Sequence, residues 1–176
     1  MIVLASPDIG EGASVTCANL GVVLAQAGRT TLIVDCNLRA PAMHTMFGRN
    51  NESGVVDVLM RERSPDEVWH DALPGLKVLT TGPLPLEPTE LLSSEILTEL
   101  LRWARRDFDY VLVDAPPVRA VSDPMIVATN SDGILLVVDA QRTGKDAVRE
   151  SVRNLEAAGV RVLGTVMNNI KGSTRT

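Results

Sequence analysis

No lysine occurs before Lys77, so the first part of the chain carries its positive charge on arginine alone. Cysteine is also scarce: Cys17 and Cys36 are the only two, without a second pair at metal-ligand spacing. That excludes a zinc site or a disulfide framework and leaves two reduced thiols in or near the core. Aromatic residues make up 3% of the chain and its formal charge is -5, with no stripe of alternating basic and aromatic residues. Nucleic acid is therefore excluded as a main partner. No apolar run reaches the ~18 residues that a membrane span requires, and the start lacks the basic stretch and long apolar core of a secretory leader. Internal repeats, low-complexity tracts and Gly/Ser-rich linkers are missing too, so the 176 residues, 45% apolar, read as one α/β domain with a substantial core.

What is present is alternation. Short β-branched runs near 2–5, 31–35, 76–80, 110–114, 133–138 and 161–167 are separated by stretches of helical period, the pattern of repeated βαβ units around a parallel sheet. From Val15 to Gly28 a helix is expected to turn Leu20, Val23, Leu24 and Ala27 toward the sheet, with Gly28 as its stop. A second helix opens at Thr89 after Pro88 and carries Leu92, Ile96, Leu100 and Ala104 down to Arg102, Arg105 and Arg106, cations that suit a helix end. A third runs from Gly144 to Ala158, with Thr143 as N-cap, Val148, Val152 and Leu155 buried, and Gly159 as terminator. Ser64-Pro65-Asp66-Glu67 has the form of a capping box and predicts a short helix bearing Val68 and Trp69. Pro83 to Pro88 reads as a stiff surface loop, and the polar end from Lys171 to Thr176 is expected to fray.

The chemistry lies at three strand ends. Ile2-Val3-Leu4-Ala5 runs into Ser6-Pro7-Asp8-Ile9-Gly10-Glu11-Gly12-Ala13-Ser14, a strand, a glycine-bearing loop and a helix start. In such a loop successive backbone N–H groups and the helix's positive end hold an anion, so Gly10, Glu11, Gly12, Ala13, Ser14 and Val15 can supply the cradle whatever their side chains. Ala13 stands where a Gly-Glu-Gly-Lys-Ser loop carries its lysine. Loss of that charge removes on the order of 3 kcal/mol of transition-state stabilisation, by analogy with the removal of a single oxyanion donor. Pro7 also replaces the first glycine of the strict pattern, which leaves a plain strand-to-helix turn as an alternative for the loop taken by itself. Leu32-Ile33-Val34-Asp35-Cys36-Asn37-Leu38-Arg39 and Tyr110-Val111-Leu112-Val113-Asp114-Ala115-Pro116-Pro117 each carry an apolar strand into an acid at its carboxyl end, where open α/β sheets place ligands.

Over nearly its whole length the chain resembles the bacterial tyrosine autokinases of capsule and exopolysaccharide synthesis, a deviant-Walker P-loop class related to the division-site and partition ATPases. Ser6-Pro7, Gly10-Glu11-Gly12, Asn19-Leu20, Asp35-Cys36-Asn37-Leu38-Arg39, Pro41, His44, Phe47, Glu90-Leu91-Leu92, Asp114-Ala115-Pro116-Pro117, Asp123, Asp132-Gly133 and Gly164-Thr165-Val166-Met167-Asn168 fall in that family's order. The resemblance implies a P-loop NTPase-like fold, with a mostly parallel central sheet and helices on both faces. It implies ATP or ADP with Mg²⁺ as ligands. Ser14 would set its hydroxyl on the metal, Asp35 would hold the metal or its water, and Asp114 would be the Walker-B carboxylate, so that Asp35 and Asp114 are the catalytic pair. Asn168 matches the asparagine beside the adenine ring, with a simple turn former as the alternative. The implied partners are further copies of the chain or active kinase subunits, and a membrane-spanning polysaccharide co-polymerase. The implied location is cytoplasmic, at the inner face of the plasma membrane.

Departures from the family pattern bear on activity. Ala13 lacks the loop lysine, and Asn37 stands where many members have a second aspartate able to take the tyrosine proton, which an amide cannot do. The single tyrosine, Tyr110, is expected at the start of a buried strand, a poor phosphoacceptor, and the family's tyrosine-rich tail and upstream assembly helix are not in the sequence. The chain therefore reads as part of a longer protein, with an impaired kinase reaction. A non-catalytic pseudokinase scaffold is the rival; a dimerising ATPase of the division-site type is disfavoured because its signature loop lysine is missing. His44, in the loop after Arg39, and His70, read as an exposed helix residue, lack nucleophile partners, and Met43, Met46 and Met125 read as core or interface filler.

Overall fold

Strands whose residues are apolar on both sides can only lie in the middle of a sheet covered on both faces. That is where the computed structural model places them. It describes residues 1–171; residues 172–176, where fraying was expected, lie outside the described residues. The element order is β1 (Ile2–Ala5), α1 (Ala13–Gln26), β2 (Thr31–Asp35), α2 (Met43–Met46), α3 (Val55–Leu59), α4 (Pro65–Val68), β3 (His70–Leu73), β4 (Leu76–Leu79), α5 (Pro88–Leu92), α6 (Glu95–Asp107), β5 (Tyr110–Asp114), α7 (Asp123–Ala128), β6 (Ile134–Asp139), α8 (Lys145–Ala157) and β7 (Val162–Asn168). The sheet runs β3-β4-β2-β5-β1-β6-β7, parallel throughout except for β3, which pairs antiparallel with β4. All six expected strands are there, and every residue of β2 is buried.

Period-two alternation divides the core between the faces. Leu4, Ile33 and Leu112 point to α1, while Val3, Ala5, Leu32, Val34, Val111 and Val113 point to the side packed by α3, α6, α7 and α8. The face of α1 is the expected one only in part. Leu20 and Leu24 pack against the core, but Val23 is 58% exposed and Ala27 is exposed too, and the buried residues are the small ones, Ala13, Cys17, Ala18, Gly21 and Ala25. A Cβ on Gly21 would come within 2.6 Å of Ile33 Cδ1, so the helix lies too close to β2 for large side chains on that stripe.

Other differences have local causes. The helix expected from Thr89 is two, because the chain leaves helical geometry at Ser94, an extended residue preceding α6. Glu67 accepts from the Ser64 N–H at 2.7 Å and its hydroxyl at 2.9 Å, as the capping box requires, but α4 ends at Val68 and His70 opens β3 instead of extending a helix. His44 sits within α2 rather than in a loop. Gly144, not Thr143, precedes α8, because the Thr143 hydroxyl donates to Glu11 in the β1–α1 loop. Tyr110 is 37% exposed, since β5 starts at the rim of the sheet.

Behind that rim Trp69 and Trp103 stack with centroids 5.2 Å apart, Phe108 meets both edge-on at 5.9 and 6.1 Å, and the Lys77 ammonium lies 4.4 Å over the Trp69 ring. Cys17 and Cys36 are buried and unbridged, as expected. No helix among the described residues is long and apolar enough to cross a membrane.

Candidate functional site

Parallel strands direct all their carboxyl ends to one edge, and β1 has β5 on one side and β6 on the other. A cleft of about 470 Å³ opens there. Its walls are Gly10 to Val15 from the β1–α1 loop, Asn37 and Arg39 after β2, and Ala115 to Pro117 after β5. The loop is shaped by glycine. Gly10 and Gly12 take φ of +80° and +93°, and a Cβ on Gly12 would lie 2.2 Å from Asn168 Nδ2. The amides of Gly10, Glu11 and Gly12 donate to no acceptor among the described residues, and those of Ala13, Ser14 and Val15 belong to the first turn of α1, which a helix cannot satisfy internally. Six adjoining N–H groups are thus available to an anion at the positive end of a fourteen-residue helix.

Asp35 and Asp114 are direct neighbours in the β2–β5 register and both are fully buried beneath the cleft. Their environments differ. Asp35 accepts from three backbone amides, Asn37 at 3.2 Å, Ala42 at 3.1 Å and Met43 at 3.0 Å, and so holds the chain that follows β2. Asp114 Oδ2 accepts from the Ser14 hydroxyl at 2.7 Å, and its Oδ1 has no partner. Burial pushes both carboxyls above their ordinary range. For Asp35 the amide bonds oppose the rise; for Asp114 the Asp35 charge adds to it, and the Ser14 bond offsets only part. The same two carboxylates, after burial itself, push the Cys17 and Cys36 thiols up.

Ala13 packs into the core at 8% exposure, so the lysine position faces partly inward. Asn37 lines the cleft, and its side-chain oxygen accepts from the Ala40 N–H at 3.2 Å, closing a local turn. Asn168, at the end of β7, donates to the Glu11 carbonyl at 2.9 Å and so braces the loop from outside.

Several residues that sequence reasoning passed over complete the site. Glu11, considered only for its backbone, is 3% exposed: one carboxylate oxygen accepts from the Asp8 N–H at 3.1 Å and the other from the Thr143 hydroxyl. Arg119 forks onto both oxygens of Asp8 at 2.8 Å and gives its Nε to Glu150 at 2.9 Å. Arg39 binds the buried Asp123 through Nε at 2.8 Å, and Thr89 joins both. Arg39 and Asp123 stood out in the sequence as pattern matches; the pairings of Glu11 with Thr143 and of Arg119 with Asp8 cross more than a hundred residues and leave no local trace.

Two oxygens, the Ser14 hydroxyl and the unpartnered Asp114 Oδ1, fit a hard divalent ion that keeps most of its ligands as water. Among the described residues no group of three or more His, Cys, Asp or Glu forms a metal cage, which such an ion does not need.

The chain matches the AAA domain family over residues 1–162. It is 40% identical to the tyrosine-protein kinase YwqD of Bacillus subtilis over 97% of its own length and 72% of that protein's. It spans 23% of the length of longer curated relatives that it matches at 37% identity. The kinase domain of the Escherichia coli tyrosine kinase ETK superposes with a TM-score of 0.94 at 31% identity, covering 99% of this chain and 69% of that one. The septum site-determining protein MinD of Pyrococcus horikoshii, solved with Mg-ADP, gives 0.79 at 21% identity over 94% of this chain and 68% of that one, a likeness of fold alone.

Proposed function

The chain belongs to the AAA domain family and to the bacterial tyrosine-protein kinases within it, and on that premise we propose that it is a nucleotide-binding kinase domain whose phosphoryl-transfer step is impaired. The observation that carries the reading is the Asp114 oxygen left without a partner in a buried site, beneath a helix start whose amides have no acceptor. A buried polar atom in that state costs about 1–3 kcal/mol, which a ligand that engages it recovers.

In this reading ATP or ADP lies along Gly10 to Val15, held by main chain, and Asn168 stands at the nucleoside end. Ser14 and Asp114 would hold Mg²⁺, and Asp35, one of its oxygens committed to the Ala42 and Met43 amides, would act through the metal's water. The ion would neutralise charge on the transferring phosphate. The chain's own part is to align that phosphate, exclude water beneath Asp114 and accept the proton of the attacking hydroxyl. The last task falls where the chain has Asn37, which is committed to Ala40 and is not a base. With Ala13 in the loop as well, phosphoryl transfer lacks both the loop lysine and a base. Tyrosine hydroxyls of further copies or of active subunits would be the acceptors. A polysaccharide co-polymerase at the inner face of the membrane would be the larger partner.

These two losses in one site also favour a second reading, a scaffold that binds nucleotide for conformation and pairs with active subunits without transferring phosphate. Titration calorimetry with ADP and Mg²⁺ tests the shared premise. Heat of binding that vanishes when Mg²⁺ is withheld is expected, and no heat at millimolar ADP sinks both readings. A phosphotyrosine assay then separates them: slow transfer to a tyrosine-bearing copy supports the impaired kinase, and none supports the scaffold.

A further inference from the structure

Resting on the nucleotide reading, we propose that Arg142 supplies the cation that position 13 lacks, reaching the polyphosphate from the β6–α8 connection. Three guanidinium groups surround the phosphate loop. Arg39 is committed to Asp123 and Thr89, and Arg119 is committed to Asp8 and Glu150. Arg142 has no carboxylate partner among the described residues, and its side chain makes a single long contact, Nη1 to the Gly10 carbonyl at 3.4 Å. Such a bond to a neutral oxygen is weak and readily exchanged.

Asp139 feels the Arg142 charge but forms no ion pair with it; its carboxylate accepts from the Gln141 N–H at 2.8 Å and from Asn169 Nδ2 at 3.2 and 3.3 Å. The backbone that carries Arg142 is, by contrast, pinned to the loop. The Arg142 N–H donates to the Asp139 carbonyl at 3.2 Å, and the next residue, Thr143, donates its hydroxyl to Glu11 while accepting from the Asp139 N–H at 3.1 Å. A fixed base with a free, exposed, planar head is the arrangement that lets a guanidinium fold onto a phosphate and make paired charge-assisted bonds.

The experiment is a double-mutant cycle read by calorimetry, with ADP and, separately, inorganic pyrophosphate as probes in Mg²⁺. Arg142→Ala should weaken both by about tenfold, the worth of a hydrogen bond to a charged group, with an unchanged melting temperature. Arg142→Lys should retain most of the affinity. In an Ala13→Lys background, where a lysine returns to the loop, the Arg142→Ala loss should shrink, because both cations serve one anion. Equal affinity in Arg142→Ala and the parent overturns the proposal, as does an undiminished loss in the Ala13→Lys background. A loss seen with ADP but not with pyrophosphate also overturns it, since the arginine would then touch the nucleoside. If the parent itself binds neither probe, it is the nucleotide reading that falls.

Discussion

The two ends of the sheet are built on opposite terms. At the amino end every acid that flanks a strand is answered: Asp132 takes the Met1 amine at 2.6 Å and Arg105 at 2.7 Å, while Asp109 accepts from Thr30 N–H and hydroxyl at 3.0 Å and returns its own N–H at 3.0 Å. At the carboxyl end Asp114 is buried with one oxygen unanswered, and the amides above it have no acceptor. The first arrangement closes the sheet. The second leaves polarity that a ligand would satisfy, and this asymmetry, more than any single motif, supports the site proposed there.

Gly12→Ala is the largest blow to the unsatisfied end. At φ +93° a Cβ strains the loop, and at 2.2 Å from Asn168 Nδ2 it displaces the asparagine that braces it, so calorimetry should show ADP binding weakened by about tenfold or more. Parent-like affinity would mean that the cradle is not the loop described. Asp114→Asn probes the same end through pH. Because burial and the Asp35 charge raise the folded carboxyl well above its ordinary value, the folded state binds the proton more readily than the unfolded chain. The stability this brings is complete below the ordinary carboxylate value and is lost as pH rises through the elevated one. Metal-free protein should therefore weaken over that window in denaturant titrations. Asp114→Asn should flatten that dependence and gain about 2 kcal/mol at neutral pH, while losing Mg²⁺-dependent ADP binding. The comparison sharpens further at the answered end, where Arg105→Ala removes an exposed ion pair. The expected cost is under about 1 kcal/mol, with ADP affinity unchanged.

Strand-forming runs and the acids that end them were legible because apolar periodicity and strand-end position are local properties. Six strands, Asp35 and Asp114 came directly from them, and the glycine loop came from its spacing. β3 was not legible, since His-Asp-Ala-Leu carries no alternation and pairs only because β4 offers a free edge. The buried face of α1 was half legible: Leu20 and Leu24 pack against the core as their size suggests, while the centre of the stripe goes to small residues because the helix approaches Ile33 closely. The braces of the site, Glu11 with Thr143, Asp8 with Arg119 and Asn168 with the loop, depend on where β6 and β7 bring distant segments, which no local pattern encodes.

Both tryptophans of the chain reside in one stacked pair, joined to Phe108 and roofed by Lys77. Intrinsic tryptophan emission therefore originates from a single locality, where the residue that follows α4 meets α6. Neither ring lines the cleft beside the glycine loop, and the stack holds only while α6 stays packed, so such a chromophore gives the molecule a built-in optical gauge of its tertiary fold.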